Sequence, residues 1–252
     1  HKLSKSIEYV HAASLSHDDV IDNATTRRGN PSINVVGDNK MSILSGDFLL
    51  AQVINDLADI GNINLVREMA QIIKRLSVGE WIQHDCLKKR TYNKEVFHRI
   101  SLNKTSSVLE WCSVSPMIYK GHGQKLISLA RSFGRNLGLS FQLYDDLLDF
   151  SSDSAKDSFL DIKNDQLTYI SYRYLGSIGK IEEYQSGAKL VDLVNHSELH
   201  NIFVEVKSEA DFYHDKCIED LNEIIKNLGI EKTDINYSCI EFLLNKLKNR
   251  TK

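Results

Sequence analysis

Hydrophobic residues recur at steps of three and four along almost the whole of this chain. In one segment Leu44, Phe48, Ala51 and Ile54 follow one another at this spacing, which predicts the apolar face of an α-helix. No segment shows the apolar-polar alternation of a half-buried strand. The pattern predicts an all-α fold, a single large helical bundle formed by 1–252. The predicted helices are 3–22, 40–59, 65–85, 94–118, 124–150, several shorter ones within 160–195, 199–228 and 239–247.

Glycine and proline mark the predicted breaks between these helices. Gly61 ends the second helix and Gly229 the helix 199–228, as a glycine at the C′ position does. Pro116 predicts a bend within 94–118. Polar residues predict loops at 23–38 and 151–157.

Two short acidic motifs lie at the ends of two of the predicted helices. Asp18, Asp19 and Asp22 form the first, and the second, 127 positions later, repeats the spacing. On a helix, the first and fifth positions share one face. No lysine or arginine stands within either motif to offset the negative charge. The two motifs therefore predict that cations from elsewhere, not neighbouring lysines or arginines, neutralise these carboxylates. The second motif consists of Asp145, Asp146 and Asp149.

Composition narrows the possible functions. With 252 residues and 42% hydrophobic content, the chain can bury a large core. A net charge of -3 gives no general attraction to nucleic acid or anionic membranes. No apolar run approaches the roughly 20 residues of a membrane span, and no signal peptide is visible. Four scattered cysteines without CxxC spacing predict free, mostly buried thiols in a reducing compartment.

The residues around the two motifs suggest the chemistry. Side chains on facing helices can build a metal site across a bundle core. Ligation by oxygen alone suits Mg²⁺, or alternatively Mn²⁺, which commonly joins carboxylates to substrate phosphates. Arg27 and Arg28 follow the first motif, and one guanidinium group can donate two parallel hydrogen bonds to the oxygens of a phosphate. Lys104 and Gln142 add further donors. A phosphorylated ligand bridged by metal is the prediction.

The order and spacing of these stretches resemble the trans-isoprenyl diphosphate synthases, in particular their polyprenyl, long-chain branch. The likeness covers most of the chain and fades beyond about residue 170. The stretches that carry it are 13–22, Arg27-Arg28-Gly29, 44–50, 79–83, Lys104-Thr105, 134–139 and 141–150.

The resemblance implies an isoprenoid synthase-like fold with a central cavity and a Mg²⁺-dependent transfer of an allylic group to isopentenyl diphosphate. Lys104, Lys156 and Arg27 would neutralise the departing diphosphate, and Arg28 would hold isopentenyl diphosphate. Thr105 and Gln142 would stabilise the allylic cation. The metal ligands implied are Asp18, Asp19, Asp22, Asp145, Asp146 and Asp149.

Product length is predicted from the residues one turn or more before Asp18. The growing tail would run past Ala13 and Ser14, with Val10 deeper. Small side chains at this level predict an open cavity and a product of C25 or longer, for example a quinone side chain.

Three further expectations come from the resemblance. The family's basic stretch and histidine that precede the first motif are absent, so the sequence looks like a domain without its N-terminal part. The loop before Lys156 is about three residues short, and Gln166 stands where the family has a lysine. Family likeness implies a homodimer, or alternatively a heteromer, inside the cell, in a mitochondrion or the cytoplasm.

Two alternatives stay open at this point. A non-catalytic or regulatory subunit of a heteromeric synthase would fit the altered segment 155–170. A terpene cyclase would share the first motif and the helical fold. Cyclases generally carry an Asn/Ser/Glu second metal motif, whereas this chain repeats the aspartates.

Overall fold

A computed structural model describes residues 1–27, 29–151, 160–195 and 198–249 of the chain, with only the backbone described at 149–151 and 160–161. The fold is all-α, as predicted. In chain order the elements are α1 (Lys2–Ile21), β1 (Thr26–Arg27), β2 (Asn30–Pro31), α2 (Ile33–Val36), α3 (Asn39–Ala58), α4 (Ile63–Lys89), α5 (Lys94–Ser101), a π-helical turn (Leu102–Ser106), α6 (Ser107–Tyr119), α7 (Gln124–Ser151), α8 (Leu160–Lys163), α9 (Tyr169–Ser177), α10 (Ile181–Gln185), α11 (Leu190–Leu193), α12 (His200–Leu228) and α13 (Ile235–Lys248).

The helices begin and end where local chemistry dictates. Asp38 caps α3 by accepting a hydrogen bond from the Met41 amide at 2.7 Å, and Asn93 caps α5 in the same way. Gly229 ends α12 in the left-handed conformation, with φ of 66°, which glycine adopts without steric cost. The sequence therefore sets these boundaries locally.

Helix α7 lies at the centre of the described bundle, packed against α6 and α12, while α1 packs against α3. Two main hydrophobic cores result. One lies around α7, α9 and α12 and includes Tyr144, Leu147 and Ile170. The other joins α1, α3, α4 and α6 around Trp111, which is fully buried. The indole of Trp111 also donates a hydrogen bond to the Leu3 carbonyl at 3.3 Å. These two cores place both motif helices in the interior of the fold.

Two predictions about local structure differ from the observed fold. The helix expected over 94–118 is divided by the π-helical turn Leu102–Ser106. Pro116 lies inside α6, and the bend at this residue stays a prediction. The loop 23–38 contains a two-residue antiparallel ladder, in which Thr26 pairs with Pro31, and the short helix α2. Such short elements have no periodicity for a sequence pattern to detect. The predicted polar loop 151–157 lies almost wholly outside the described residues.

The four cysteines are free, as predicted, but only half are buried. Cys86 and Cys217 are buried, whereas Cys112 and Cys239 are exposed. The expectation of mostly buried thiols is therefore only partly correct. Among the described residues, no helix combines the length and apolar character needed to cross a membrane.

Candidate active site

The first acidic motif occupies the last turn of α1. Asp22 is the C-cap residue of this helix, and Asn23 follows in the left-handed conformation with φ of 52°. Asp18 is half-buried, and its carboxylate lies close enough to Asp22 to interact with it electrostatically. Asp18 and Asp22 thus share one face of the helix, as the i,i+4 spacing predicts.

Asp19 has a different environment from its two neighbours. It is only 3% exposed and accepts hydrogen bonds from Arg27, Nε at 2.9 Å and Nη2 at 2.6 Å. Asn34 holds the intervening loop against α1 by donating to the Asp19 carbonyl at 3.1 Å. Asp19 and Arg27 were predicted to bind metal and diphosphate, but in this structure they bind each other. The reason is that Asp19 lies about 100° around the helix from Asp18.

The second motif lies near the end of α7. Gln142 donates to the Asp146 carboxylate at 2.9 Å, one helical turn further on. Asp145 is exposed and Asp146 is half-buried. The side chain of Asp149, a predicted metal ligand, lies outside the described part of the structure. So do Arg28 and Lys156.

The π-helical turn Leu102–Ser106 lies between the two motifs. Its Thr105 hydroxyl donates to Gln142 Oε1 at 2.7 Å, on the side of the second motif. The adjacent Lys104 interacts electrostatically with Asp18 and Asp22, on the side of the first. Two consecutive residues therefore connect the motifs: Lys104 interacts with the acids of the first, and Thr105 reaches the second through Gln142, which donates to Asp146.

Glu80 and Gln83 of α4 complete this arrangement. Lys104 forms an ion pair with Glu80, and its ammonium donates to Gln83 Oε1 at 3.1 Å. In the sequence, either residue could equally be a polar group on a helix surface. Their i,i+3 spacing beside Gly79 was the available signal, but only the packing of α4 shows that this face is turned inward.

The charges around Asp18 change its acidity. Burial raises the pKa of the Asp18 carboxyl to about 6, with Glu80 and Asp22 adding to the effect and Lys104 opposing it. Partial desolvation, reinforced by Glu80, also raises the pKa of Asp22. Both shifts mean that negative charge at this position is unfavourable without an additional cation.

A divalent cation is chemically suited to this position. The candidate donors are carboxylate oxygens, which suit hard cations such as Mg²⁺, and the excess negative charge of Asp18, Asp22 and Glu80 would be offset by a cation. Among the described side chains, no three acidic, histidine or cysteine residues lie close enough to hold a metal by themselves. The site can therefore accept a metal ion when a bound molecule, such as a diphosphate, supplies the remaining oxygen ligands.

A cavity of about 320 Å³ opens beside the π-helical turn. Its lining includes the polar side chains of Lys104, Thr105, Gln142 and Asp146 and an aromatic wall. Neither Ala13 nor Ser14 lines this cavity. The aromatic wall consists of Tyr92, Phe97, Tyr169 and Tyr213.

The predicted floor residues lie below the first motif, inside α1. Ala13 is fully buried, and the Ser14 hydroxyl donates to the His11 carbonyl at 2.9 Å. Val10, one turn earlier, is 1% exposed within the core around Trp111. Ala13 and Val10 are therefore buried in the structure without substrate, and the path of the product tail past them stays a prediction.

Comparison with known proteins agrees with this geometry. The family model described as polyprenyl synthetase matches residues 1–186. A mitochondrial solanesyl-diphosphate synthase of Oryza sativa is 39% identical over 169 residues, which is 66% of this chain and 39% of that protein. A prenyl transferase of Cyanidium caldarium is 32% identical over 254 residues, covering 98% of this chain and 71% of that protein.

A solved structure shows the same fold. The decaprenyl diphosphate synthase from Rhodobacter capsulatus superposes with a TM-score of 0.84 and 22% identity, over 100% of this chain and 79% of that one. The chain spans about two fifths of the length of the solanesyl synthase that it matches. Because the family model matches more than half of the residues, in the part that carries both acidic motifs, the chain belongs to the polyprenyl synthetase family.

Proposed function

We propose that the protein is a long-chain polyprenyl diphosphate synthase, which condenses isopentenyl diphosphate with an allylic diphosphate to give a product of C25 or longer. The observation that carries this proposal is the pair Lys104 and Thr105, which faces the first acidic motif with one side chain and the second with the other. The names of the relatives support the substrate class.

In the reaction, the C–O bond of the allylic diphosphate breaks, and the diphosphate leaves with the electron pair. The double bond of isopentenyl diphosphate attacks the allylic cation, and loss of a proton completes a chain longer by five carbons. Mg²⁺ held by Asp18, Asp22 and Asp145, with Asp19, Asp146 and Asp149 as further ligands, would supply positive charge to the diphosphate.

The side chains of this protein have distinct tasks in the proposal. Lys104, Lys156 and Arg27 stabilise the charge that develops on the leaving diphosphate, by fixed charges that need no reorganisation. Thr105 and Gln142 direct oxygen dipoles at the cation. Arg28 binds isopentenyl diphosphate.

Binding of substrate brings the diphosphate to Lys104, a lysine that already has a partner. In the structure its ammonium is paired with Glu80, so the diphosphate must compete with this carboxylate or share the lysine with it. The ion pair keeps Lys104 in position before substrate arrives, which reduces the ordering cost of binding.

The test is incubation of the full-length protein with labelled isopentenyl diphosphate, an allylic primer and Mg²⁺, followed by chromatography of the products. Linear chains of C25 or longer are expected. A cyclic hydrocarbon would indicate the terpene cyclase, and no product would indicate the non-catalytic subunit. Either result would overturn the proposal.

Lys104→Ala tests the residue that carries the argument. Removing a preplaced cation from the leaving group is expected to lower kcat by about 100-fold or more, in line with the loss of one electrostatic donor. Lys89→Ala is the matched control, because Lys89 forms only an exposed ion pair with Asp85 on α4. Equal activity of the two variants would contradict the proposed role of Lys104.

The proposal includes a homodimer formed through α3. Met41, Leu44 and Phe48 lie on one face of this helix and are 58%, 66% and 69% exposed, and Trp81 of α4 is 73% exposed. Apolar residues at this spacing match a helix-helix seam. Leu44→Glu should convert a dimer into a monomer in sedimentation equilibrium, whereas a wild-type monomer at micromolar concentration would refute this.

The proposal also extends to the location of the protein. The Oryza sativa relative is named as mitochondrial, and the same compartment is proposed here. Imaging of the tagged full-length protein tests it, and exclusion from mitochondria would refute it.

A further inference from the structure

The π-helical turn Leu102–Ser106 is an unusual support for two candidate catalytic residues. Such turns are rare, occur as single insertions within α-helices and often lie at functional sites. They interrupt the regular ladder of backbone hydrogen bonds, so the displaced carbonyls need other donors. The donors present here indicate what holds Lys104 and Thr105 in place.

Arg75 of α4 supplies one of these donors. Its Nη2 atom donates to the Leu102 carbonyl at 2.5 Å, at the first residue of the turn. The same guanidinium forms a two-point ion pair with Glu110, at 2.8 and 3.0 Å. Glu110 lies on α6 and is fully buried. The carboxylate thus fixes the guanidinium, and the guanidinium fixes the backbone of the turn.

Two glycines allow the turn to pack closely against its neighbouring helices. A Cβ atom at Gly79 would meet Lys104 Cγ at 2.7 Å and Asn103 Cβ at 3.0 Å. One at Gly138 would collide with the Cα atom of Ser106. The turn is therefore packed directly against the backbones of α4 and α7. Because packed interiors deform little, a shift of the Leu102 carbonyl would be passed on to the adjacent side chains.

The other arginines near Glu110 provide a comparison. Arg131 pairs with Glu68 at 2.6 Å and with Glu110 at 3.4 Å, and Arg135 lies 3.4 Å from Glu110. Of these three arginines, only Arg75 forms a hydrogen bond with the backbone of the π-helical turn, where the adjacent Ser107 hydroxyl also donates to the Asn103 carbonyl at 2.5 Å. A buried ion pair by itself contributes little net stability, so a purely stabilising role would not distinguish Arg75 from Arg131.

We propose that Arg75, held by Glu110, is a positioning residue that sets Lys104 and Thr105 through the Leu102 carbonyl. This inference rests on the proposed function. Lysine cannot replace the planar fork that binds Glu110 and the carbonyl together, so Arg75→Lys changes the position of the turn while it retains the charge.

Steady-state kinetics of Arg75→Lys test the inference. We expect kcat to fall at least tenfold, because small misplacements of catalytic groups have large effects, while KM for isopentenyl diphosphate changes less than threefold. Arg131→Lys is the matched control and should keep kcat within threefold despite a similar change in Tm. Equal losses of kcat in the two variants, or a fall in Tm alone for Arg75→Lys, would overturn the inference.

Two further measurements keep the test decisive. If Arg75→Lys does not fold, Glu110→Gln replaces it and should show the same selective loss of kcat.

If the wild-type protein does not elongate any primer, the proposed function fails. The inference is then judged by calorimetry with Mg²⁺ and inorganic pyrophosphate. Arg75→Lys should weaken binding at least tenfold and Arg131→Lys less than threefold, and equal affinities would refute the positioning role.

Discussion

Substituting Asp18 by asparagine should stabilise the metal-free protein at neutral pH although it removes a predicted metal ligand. The fold raises the pKa of this carboxyl from 3.8 to about 6, mainly by burial. A raised pKa means that the folded state favours the protonated acid. The stability contributed by protonation is complete below about pH 4 and is lost as the pH rises through 6.

The size of the effect follows from the same values. One pKa unit corresponds to about 1.4 kcal/mol, so the difference between 3.8 and about 6 amounts to about 3 kcal/mol for a fully buried group. Asp18 is only half-buried, and solvent screening reduces the expected gain to about 1 kcal/mol. Asparagine keeps the shape of the side chain and removes the charge.

Urea unfolding in EDTA at pH 4, 5, 6 and 7.5 measures this gain. Asp18→Asn should be more stable than the wild type by about 1 kcal/mol at pH 7.5, and the two proteins should converge at pH 4. Asp85→Asn is the control, because Asp85 forms only an exposed ion pair with Lys89. A gain that is independent of pH, or a loss at pH 7.5, would refute the reasoning.

Metal should reverse the order of stability of the two proteins, so that the wild type becomes more stable than Asp18→Asn. A ligand that binds the folded state stabilises it in proportion to the logarithm of its concentration. Mg²⁺ with inorganic pyrophosphate should therefore raise the Tm of the wild type more than that of Asp18→Asn. Equal increases would show that Asp18 is not a ligand, and they would leave the burial argument intact.

Two further substitutions test the packing around the site. Gly138→Ala places a Cβ atom against the backbone of the π-helical turn and should cost about 1–3 kcal/mol in urea unfolding. Gly176→Ala, whose nearest new contact is 3.5 Å away, should be neutral or slightly stabilising. Equal effects of the two substitutions would contradict the close packing of Gly138 against the turn. Ala13→Phe fills a fully buried position on α1 and should shorten the product relative to Ala58→Phe, an exposed control. An unchanged product length would refute the tail path past Ala13.

The chemistry of the site could be predicted from the sequence to a large extent because its signals are local. The i,i+4 spacing of Asp18 and Asp22 fixes a shared helix face before any tertiary contact forms. Repetition of the same motif, and the order of the stretches between the copies, indicated the family. The family is now confirmed by the match over residues 1–186. The roles assigned to individual side chains stay predictions.

The long helices were also determined locally. Periodic apolar residues and capping residues such as Asp38 and Gly229 operate within one or two turns, so the sequence alone predicts their positions closely. Tertiary structure decided the rest. The π-helical turn depends on Arg75, 27 positions away from Leu102, and on backbone contact at Gly79 and Gly138.

The same distinction explains which contacts of the site could not be predicted from the sequence. Glu80 looks like any polar residue on a helix surface until α4 packs and turns it towards Lys104. Asp19 resembles its neighbours until the loop after α1 brings Arg27 back to it. Local spacing determined which acids and bases this protein has and on which helices they lie. Only the packing of distant segments decided which of them meet, because each of those contacts joins residues whose separation along the chain leaves no periodic trace.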